Sequence, residues 1–159
     1  MLVFLIGFMG SGKTTLGKAL ASQLDWSFID LDREIENFSD CSIPKLFERL
    51  QENGFRLTEQ LVLLHIVKHF QHPAQAKQNS IIACGGGTAC YQQNLTFMKA
   101  KGFVIYLEVS PEILCERLLR TPANQRPLLP AQDPAQLLLS VRKLLAQRRP
   151  YYEAAHWRC

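Results

Sequence analysis

A parallel three-layer α/β domain is the fold class this sequence predicts, and three observations predict it. Leu2–Ile6 is a wholly apolar run that leads straight into a glycine cluster, the pattern of a strand covered on both faces. Strand-like and helix-like segments then alternate along the chain, and right-handed crossovers convert that alternation into a parallel sheet flanked by helices. The glycine-rich and acidic clusters fall at the carboxyl ends of the predicted strands, where such sheets bind their ligands. With 159 residues the chain is about one domain long, so a single domain over 1–159 is expected.

The elements follow from spacing. Leu16, Ala19, Leu20, Gln23 and Leu24 recur at three- and four-residue intervals, which predicts a helix over Lys13–Leu24 with Lys18 and Ser22 facing water. Residues 26–29 read as the second strand. Residues 33–38 and 43–50 read as short helices, and 55–70 as a long one, apolar around much of its circumference and therefore well buried. Polar residues and a proline make 71–79 a loop; Ile81 and Ile82 form the third strand, which Gly85, Gly86 and Gly87 end. Residues 103–109 are the fourth strand. Helices over 111–120 and 133–149 flank a proline-rich loop at 121–131.

Composition narrows the function classes. The 47% apolar and 20% charged residues are globular proportions, and no stretch approaches the ~20 uninterrupted apolar residues of a membrane span, so a soluble protein with no membrane partner is expected. Eighteen basic against fourteen acidic side chains leave a formal charge of +4, which favours anionic partners. The basic residues are scattered and no aromatic strand offers a stacking platform, so small anions fit better than nucleic acid. The cysteines Cys41, Cys84, Cys90, Cys115 and Cys159 are odd in number and include no C-x-x-C pair. Reduced thiols in a cytoplasm are expected rather than a disulfide scaffold or a zinc ribbon. The apolar start has no basic leader and soon meets Lys13, unlike a secretory signal. A monomer is the default expectation.

Gly7-Phe8-Met9-Gly10-Ser11-Gly12-Lys13-Thr14 matches G-x-x-x-x-G-K-[ST] between a predicted strand and a predicted helix, the context in which this motif binds nucleotide phosphates. Gly10, Ser11 and Gly12 let successive backbone N–H groups converge on phosphate oxygens at a helix N-terminus, with Thr15 completing the nucleotide-binding set. Lys13 reaches the β and γ phosphates, and the Thr14 hydroxyl suits Mg²⁺. The loop leaves open whether a bound triphosphate is transferred, hydrolysed or only sensed.

Three further groups bear on a second substrate, and each reads two ways from spacing. Asp30 and Asp32 stand two apart at the end of the second strand. If the strand runs through both, the carboxylates share a face, and one serves a metal while the other serves an acceptor hydroxyl. The alternative makes Asp32 the N-cap of the following helix, with Asp30 in the turn. At about 100° per residue, Arg148 lies near the middle of the stripe formed by Leu137, Leu138, Val141, Leu144 and Leu145. A buried guanidinium there requires a protein carboxylate or a ligand anion opposite it; the alternative is a frayed, exposed helix end. Arg56 and Glu59 share a helical flank, with Arg56 on the side of Leu63 and Val67. They form either a surface ion pair worth under ~1 kcal/mol or an arrangement in which Glu59 orients Arg56 to grip a substrate carboxylate bidentately.

Several motifs occur in one order along nearly the whole chain: GFMGSGKTTLGKALA at 7–21, D-x-D at Asp30 and Asp32, F-R-x-x-E at 55–59, the triple glycine at 85–87, R-P-L-L at 126–129 and R-x-P-x-Y at 148–152. This combination resembles the shikimate kinases. The resemblance implies the nucleoside-monophosphate-kinase type of P-loop NTPase fold, a three-layer domain with a parallel sheet. It implies ATP-dependent phosphorylation of the 3-hydroxyl of shikimate to shikimate 3-phosphate in aromatic amino-acid biosynthesis, with Mg²⁺ as cofactor and ATP as co-substrate. Carried over position by position, Thr14 and Asp30 would hold Mg²⁺, Asp30 through water, and Asp32 would bind the acceptor hydroxyls and act as base or orienter. Arg56 and Arg148 would clamp the shikimate carboxylate and Gly86 would give it a backbone N–H. Arg126 would close over the phosphates from a lid at about 121–131, and Arg120 would flank adenine. Lys13, Asp32 and Arg126 are then the catalytic set.

The sequence departs from the family pattern in four places. Gln51 stands where the G-E-x-x-F-R stretch has glycine, Pro122 occupies a lid in which glycines are common, and Cys84 precedes the triple glycine. The chain stops at Cys159, where a final strand and helix edging the adenine pocket would follow. Two other functions stand beside the leading one. A kinase of another small hydroxy acid such as gluconate would keep the phosphate loop without requiring F-R-x-x-E and a distant inward Arg148; a degenerate nucleotide-binding regulatory module would lack turnover. A GTPase switch is disfavoured, since no N-K-x-D motif occurs. His65, His69 and His72 mimic a metal face, but Ile66 stands where H-E-x-x-H has glutamate, and the loop signal puts His72 at the helix end. Cys84 and Cys90 are expected as small buried side chains, and Tyr151 and Tyr152 as packing residues.

Overall fold

β1 (Leu2–Ile6) runs through the centre of the sheet with all five side chains buried, as continuous apolar character demands of a strand with layers on both faces. The computed structural model describes residues 1–72, 78–120, 129 and 133–159. β2 (Ser27–Asp30), β3 (Ser80–Ala83), β4 (Phe103–Tyr106) and β5 (Trp157–Arg158) join β1 in the all-parallel order β2-β3-β1-β4-β5. Alternation along β1 seeds two cores: Val3 and Leu5 face one way, and Leu2, Phe4 and Ile6 the other. α1 (Lys13–Leu24) covers the first face over β1, β2 and β3. On the second face, α2 (Leu31–Ser39), α3 (Ile43–Gln71), α4 (Asn94–Lys101), α5 (Pro111–Leu119) and α6 (Pro134–Glu153) contribute to one continuous core.

The helices expected at 43–50 and 55–70 are both present within α3 and meet at a kink at Gln51, whose φ of 56° and ψ of 180° are non-helical. Gln51 therefore holds a left-handed φ that glycine adopts without strain, which gives the glycine of the G-E-x-x-F-R pattern its physical meaning. The bend lets the second part of α3 lie along the sheet with Phe55, Leu63 and Val67 buried. α3 is less enclosed than its composition suggests, because Leu57, Leu61 and Leu64 form a face that is 41% to 59% exposed.

The final strand, expected to be missing, is present as β5. Glu108 N–H donates to the Cys159 carbonyl and Cys159 N–H to that of Tyr106, while Arg158 bridges Glu108 at 3.2 Å and Glu153 at 3.8 Å. A two-residue strand has no periodicity to read. The fourth strand ends earlier than expected, at Tyr106, and the chain then turns into α5, whose N-cap Ser110 accepts from Ile113 N–H. α6 runs on to Glu153 through Pro150 rather than ending at 149; the extra turn is anchored by Tyr152, fully buried and stacked on Tyr106. α4 and a 3-10 turn at Thr88–Cys90 are further elements that the sequence reading lacks. The lid expected at about 121–131, with Pro122 and Arg126, lies outside the described residues except for Leu129, which is buried. No helix among the described residues is long and apolar enough to cross a membrane.

Candidate active site

The turn from β1 into α1 depends on glycine geometry. Gly7, Gly10 and Gly12 have φ of 141°, 79° and 95°, values that side chains resist, so the backbone can curl around the N-terminus of α1 and form an anion-binding nest. Lys13 is buried inside that curl, its Nζ donating to the carbonyls of Gly7 at 3.0 Å and Phe8 at 2.9 Å and to Ser11 Oγ at 3.4 Å. Burial, offset in part by the Asp32 carboxylate, lowers its ammonium to about 8.

The Thr14 hydroxyl donates to Asp30 Oδ2 at 2.8 Å, and Asp30 Oδ1 accepts the Asp32 N–H at 3.1 Å. That second bond makes Asp30 the N-cap of α2 and ends β2 there. Neither reading from spacing is therefore right in detail: the strand does not run through both aspartates, and the cap is Asp30 rather than Asp32. Asp32 sits in the first turn of α2 and still reaches the same space. Gly10, Ser11, Gly12, Lys13, Thr14 and Thr15 line a cavity of about 860 Å³ together with Asp30, Asp32, Gly85 and Gly86. Asp32 is open to the water of that cavity but otherwise ringed by protein. Its carboxyl is pushed up to about 6, first by lost hydration and then by the Glu59 and Asp30 carboxylates, against the pull of Lys13 and Arg56.

The triple glycine after β3 forms the opposite wall, and charged side chains crowd it. An ideal Cβ on Gly85 would stand 2.6 Å from Glu59 Oε1 and 3.0 Å from Asp32 Oδ1; on Gly86 it would stand 3.0 Å from Met9 N and 3.4 Å from Arg148 Nη1; on Gly87 it would collide with the Arg56 guanidinium. Glycine is required here by close approach. Arg56 is buried, and its Nη1 donates to Glu59 Oε2 at 2.6 Å. Glu59 is fully buried and accepts the Thr88 hydroxyl on its other oxygen at 2.6 Å. The surface-pair reading is thus overturned: this is a buried ion pair whose carboxylate has a second donor, the condition under which such a pair holds one geometry.

Arg148 reaches the turn from α6. It is 6% exposed, its Nη1 donates to the Gly86 carbonyl at 3.0 Å, and its guanidinium lies over the Phe8 ring, 5.7 Å from the centroid. The frayed, exposed helix end is excluded. No carboxylate among the described residues lies within ion-pairing distance of it. Gly85 and Gly86 line the large cavity, while Gly87 lines a second one of about 330 Å³ with Arg56, Cys90 and Arg148, so the glycine turn borders both. Burial pushes the Cys90 thiol up to about 11 and the Cys84 thiol higher still, which keeps both as neutral, small side chains.

Two predicted residues are not brought to the cavity by the described structure. Arg120 has a side chain 75% exposed and pairs with Glu116 at 2.5 Å on the outside of α5, and Arg126 lies outside the described residues. Sequence reasoning missed Arg117, which lines the large cavity and donates from Nη1 to the Gly10 carbonyl at 3.0 Å. The contact follows from α5 resting Leu118 against Gly10, and nothing in the spacing of α5 announces it. Thr88 was also missed, and Tyr152, read as a packing residue, donates its hydroxyl to the Gly86 carbonyl.

The sequence model of the shikimate kinase family matches residues 9–159. The shikimate kinase of Parasynechococcus marenigrum is 42% identical over 153 residues, 96% of this chain and 73% of that protein. That of Bacteroides thetaiotaomicron is 39% identical over 155 residues, 98% of this chain and 83% of that protein. Among solved structures, the Bacteroides thetaiotaomicron shikimate kinase superposes with a TM-score of 0.87 at 36% identity, covering 99% of this chain and 85% of that one. The Acinetobacter baumannii shikimate kinase in complex with shikimate gives 0.85 at 35%, covering 99% and 82%. A gluconokinase from Sinorhizobium meliloti, at 16% identity and a TM-score of 0.53 over 96% of each chain, shares the fold alone.

Proposed function

The chain belongs to the shikimate kinase family, and from that premise we propose that it transfers the γ-phosphoryl group of ATP to the 3-hydroxyl of shikimate, giving shikimate 3-phosphate for aromatic amino-acid biosynthesis. One observation carries the reading. The buried guanidinium groups of Arg56 and Arg148, far apart in sequence, meet at a glycine turn that also borders the phosphate-loop cavity. A cationic grip beside a triphosphate cradle suits an acceptor that is both a carboxylate and an alcohol.

Phosphoryl transfer asks the protein mainly for positioning and charge neutralisation. The backbone N–H groups of residues 10–15 cradle the phosphates, and Lys13 exchanges its loop carbonyls for phosphate oxygens. Arg126 keeps the phosphate-closing role that the resemblance implies. Arg56, oriented by Glu59, and Arg148 hold the shikimate carboxylate with the Gly86 N–H. Asp32 aims the 3-hydroxyl and accepts its proton; a carboxyl at about 6 is ionised at neutral pH and still basic enough for that task.

Thr14 and Asp30 fit Mg²⁺, since a hydroxyl and a carboxylate 2.8 Å apart on the cavity wall are the hard oxygen donors that this ion selects. Bound there with ATP, Mg²⁺ supplies neutralising charge at the phosphates. Arg120 keeps the adenine-flanking role that the resemblance implies, and Arg117, which lines the phosphate-loop cavity, joins it on the nucleotide side. The scattered basic residues suit shikimate and ATP, both small anions, better than nucleic acid as partners.

ADP release measured with shikimate, with gluconate and with neither tests the reading. Release that depends on shikimate is expected. Release driven by gluconate, or the same release without any acceptor, overturns it in favour of another kinase or an ATPase, and no release at all in favour of a nucleotide-binding module.

A further inference from the structure

Tyr152 has none of the roles above, yet it is built into the acceptor side. It is fully buried at the end of α6, and its ring stacks on Tyr106 with centroids 5.1 Å apart. Its hydroxyl donates to the Gly86 carbonyl, the same oxygen that receives Arg148 Nη1 at 3.0 Å. Arg148 and Tyr152 are i and i+4 on one helix, so they project from the same face and reach the same target. A carbonyl has two lone pairs, and here both are taken by donors from α6. Burial, opposed in part by the Arg148 guanidinium, holds the phenol protonated far above neutral pH, so it remains a donor wherever the enzyme works.

The double bond matters because of what the turn lacks. Gly86 has no side chain to restrict its peptide groups, and it must stay a glycine because a Cβ would press on Met9 N and Arg148 Nη1. Its conformation has to be imposed from outside, and the carbonyl held by α6 does this. With two donors on the oxygen, Arg148 need not follow the carbonyl alone, and the plane of the peptide joining Gly86 to Gly87 is fixed against α6. Packing of Tyr152 on Tyr106 requires only the ring; the hydroxyl is the part that acts on the site.

We propose that Tyr152 is a positioning residue for the acceptor: its hydroxyl, sharing the Gly86 carbonyl with Arg148, holds the glycine turn and the Arg148 guanidinium in the geometry that receives the substrate carboxylate. This rests on the acceptor-site reading of Gly86 and Arg148 given above. Tyr152→Phe keeps the ring and its stacking and leaves the Gly86 carbonyl with Arg148 as a donor. The hydroxyl's other neighbours are Arg148, which keeps that carbonyl and the Phe8 ring, and the half-buried Cys90 thiol, a weak partner whose loss does not unfold the variant. The expected result is a rise of about fivefold in KM for shikimate, the scale of one lost hydrogen bond, with KM for ATP held within about twofold and kcat moved less than KM. The ¹³C signal of the Gly86 carbonyl, compared by NMR in the two proteins, is expected to move upfield as a donor leaves.

An unchanged shikimate KM, a Gly86 signal that stays put, or a lowered Tm with no kinetic change overturns the proposal and returns Tyr152 to packing. Arg148→Ala, assayed beside it, separates the two readings. A large KM rise for Arg148→Ala with none for Tyr152→Phe removes only the Tyr152 role, whereas a shikimate KM unmoved in both removes the acceptor site itself.

Discussion

The two halves of the site, the phosphate-loop cavity and the neighbouring cavity across the glycine turn, are built on opposite plans. The nucleotide half is one contiguous stretch, residues 7–15, and most of what it offers an anion is backbone. The acceptor half gathers Arg56 and Glu59 from α3, three glycines from the turn after β3, and Arg148 with Tyr152 from α6. Its working groups are side-chain charges taken out of water, each costing several kcal/mol unless paired and hydrogen-bonded. Each charge accordingly has compensation: Thr88 and Arg56 on Glu59, the Gly86 carbonyl and the Phe8 ring on Arg148. A contiguous backbone site is made by forming one turn, whereas a gathered site exists only if three distant segments pack correctly.

Asp32 stands between the halves, and Asp32→Asn is expected to have the largest effect. It should lower kcat by about 10²–10⁴-fold, the range for a general base, while both KM values stay near those of the parent. Steady-state kinetics check it, and an unchanged kcat leaves Asp32 out of the chemistry. Arg148→Ala comes next. Losing a charge-assisted contact should raise KM for shikimate by about 100-fold with the Kd for ATP nearly unchanged. Calorimetric titration with each ligand reads this directly, and equal losses for both would show that the halves are not energetically separate.

pH sharpens the comparison, because one titrating group, Lys13, belongs to the nucleotide half and the other, Asp32, stands at its border with the acceptor. Asp32, pushed up to about 6, must be ionised to act, so kcat/KM for shikimate should fall as pH drops through about 6. Lys13, lowered to about 8, must be protonated to attract phosphates, so kcat/KM for ATP should fall as pH rises through about 8. The Asp32 carboxylate raises Lys13 and the Lys13 ammonium lowers Asp32, so the two titrations influence each other. In Asp32→Asn the acid limb should vanish and the alkaline limb remain; an acid limb that survives assigns it to another group.

The same contrast decides what the sequence made legible. β1 and α1 have the predicted bounds because an unbroken apolar run, a motif and one helical periodicity specify them locally. Arg148 was marked by its angle on an apolar stripe and Arg56 by its flank, but their burial and the convergence of both on the glycine turn depend on packing between distant elements. The D-x-D pair was visible, whereas its division of labour was not, since it turns on one carboxylate capping a helix. Tyr152 was visible only as the end of a motif and as packing, and Thr88 and Arg117 left no trace, because each acts through a partner remote in sequence: a backbone carbonyl for Tyr152 and Arg117 and a buried carboxylate for Thr88. α4 was hidden by the polar residues Gln92, Gln93 and Asn94 at its start, although Asn94 is buried there and donates to the Thr88 carbonyl.

The smallest expected effect tests whether the gathered half tolerates relief at its hinge. Gln51 holds φ 56° and ψ 180° at the bend of α3, five residues before Arg56. A side chain in such a region costs about 1–3 kcal/mol, and glycine gives back about 0.5–1 kcal/mol through its greater freedom in the unfolded chain. Gln51→Gly should therefore stabilise the protein by about 1 kcal/mol, a rise of about 2–4 °C in Tm at this chain length. The kinetic constants should not move, because Arg56 is held by Glu59 and the glycine turn rather than by the bend. A Tm that rises while KM for shikimate also rises would show that strain at Gln51 helps to aim Arg56, and the acceptor grip would then begin at the hinge of α3 rather than at its buried ion pair.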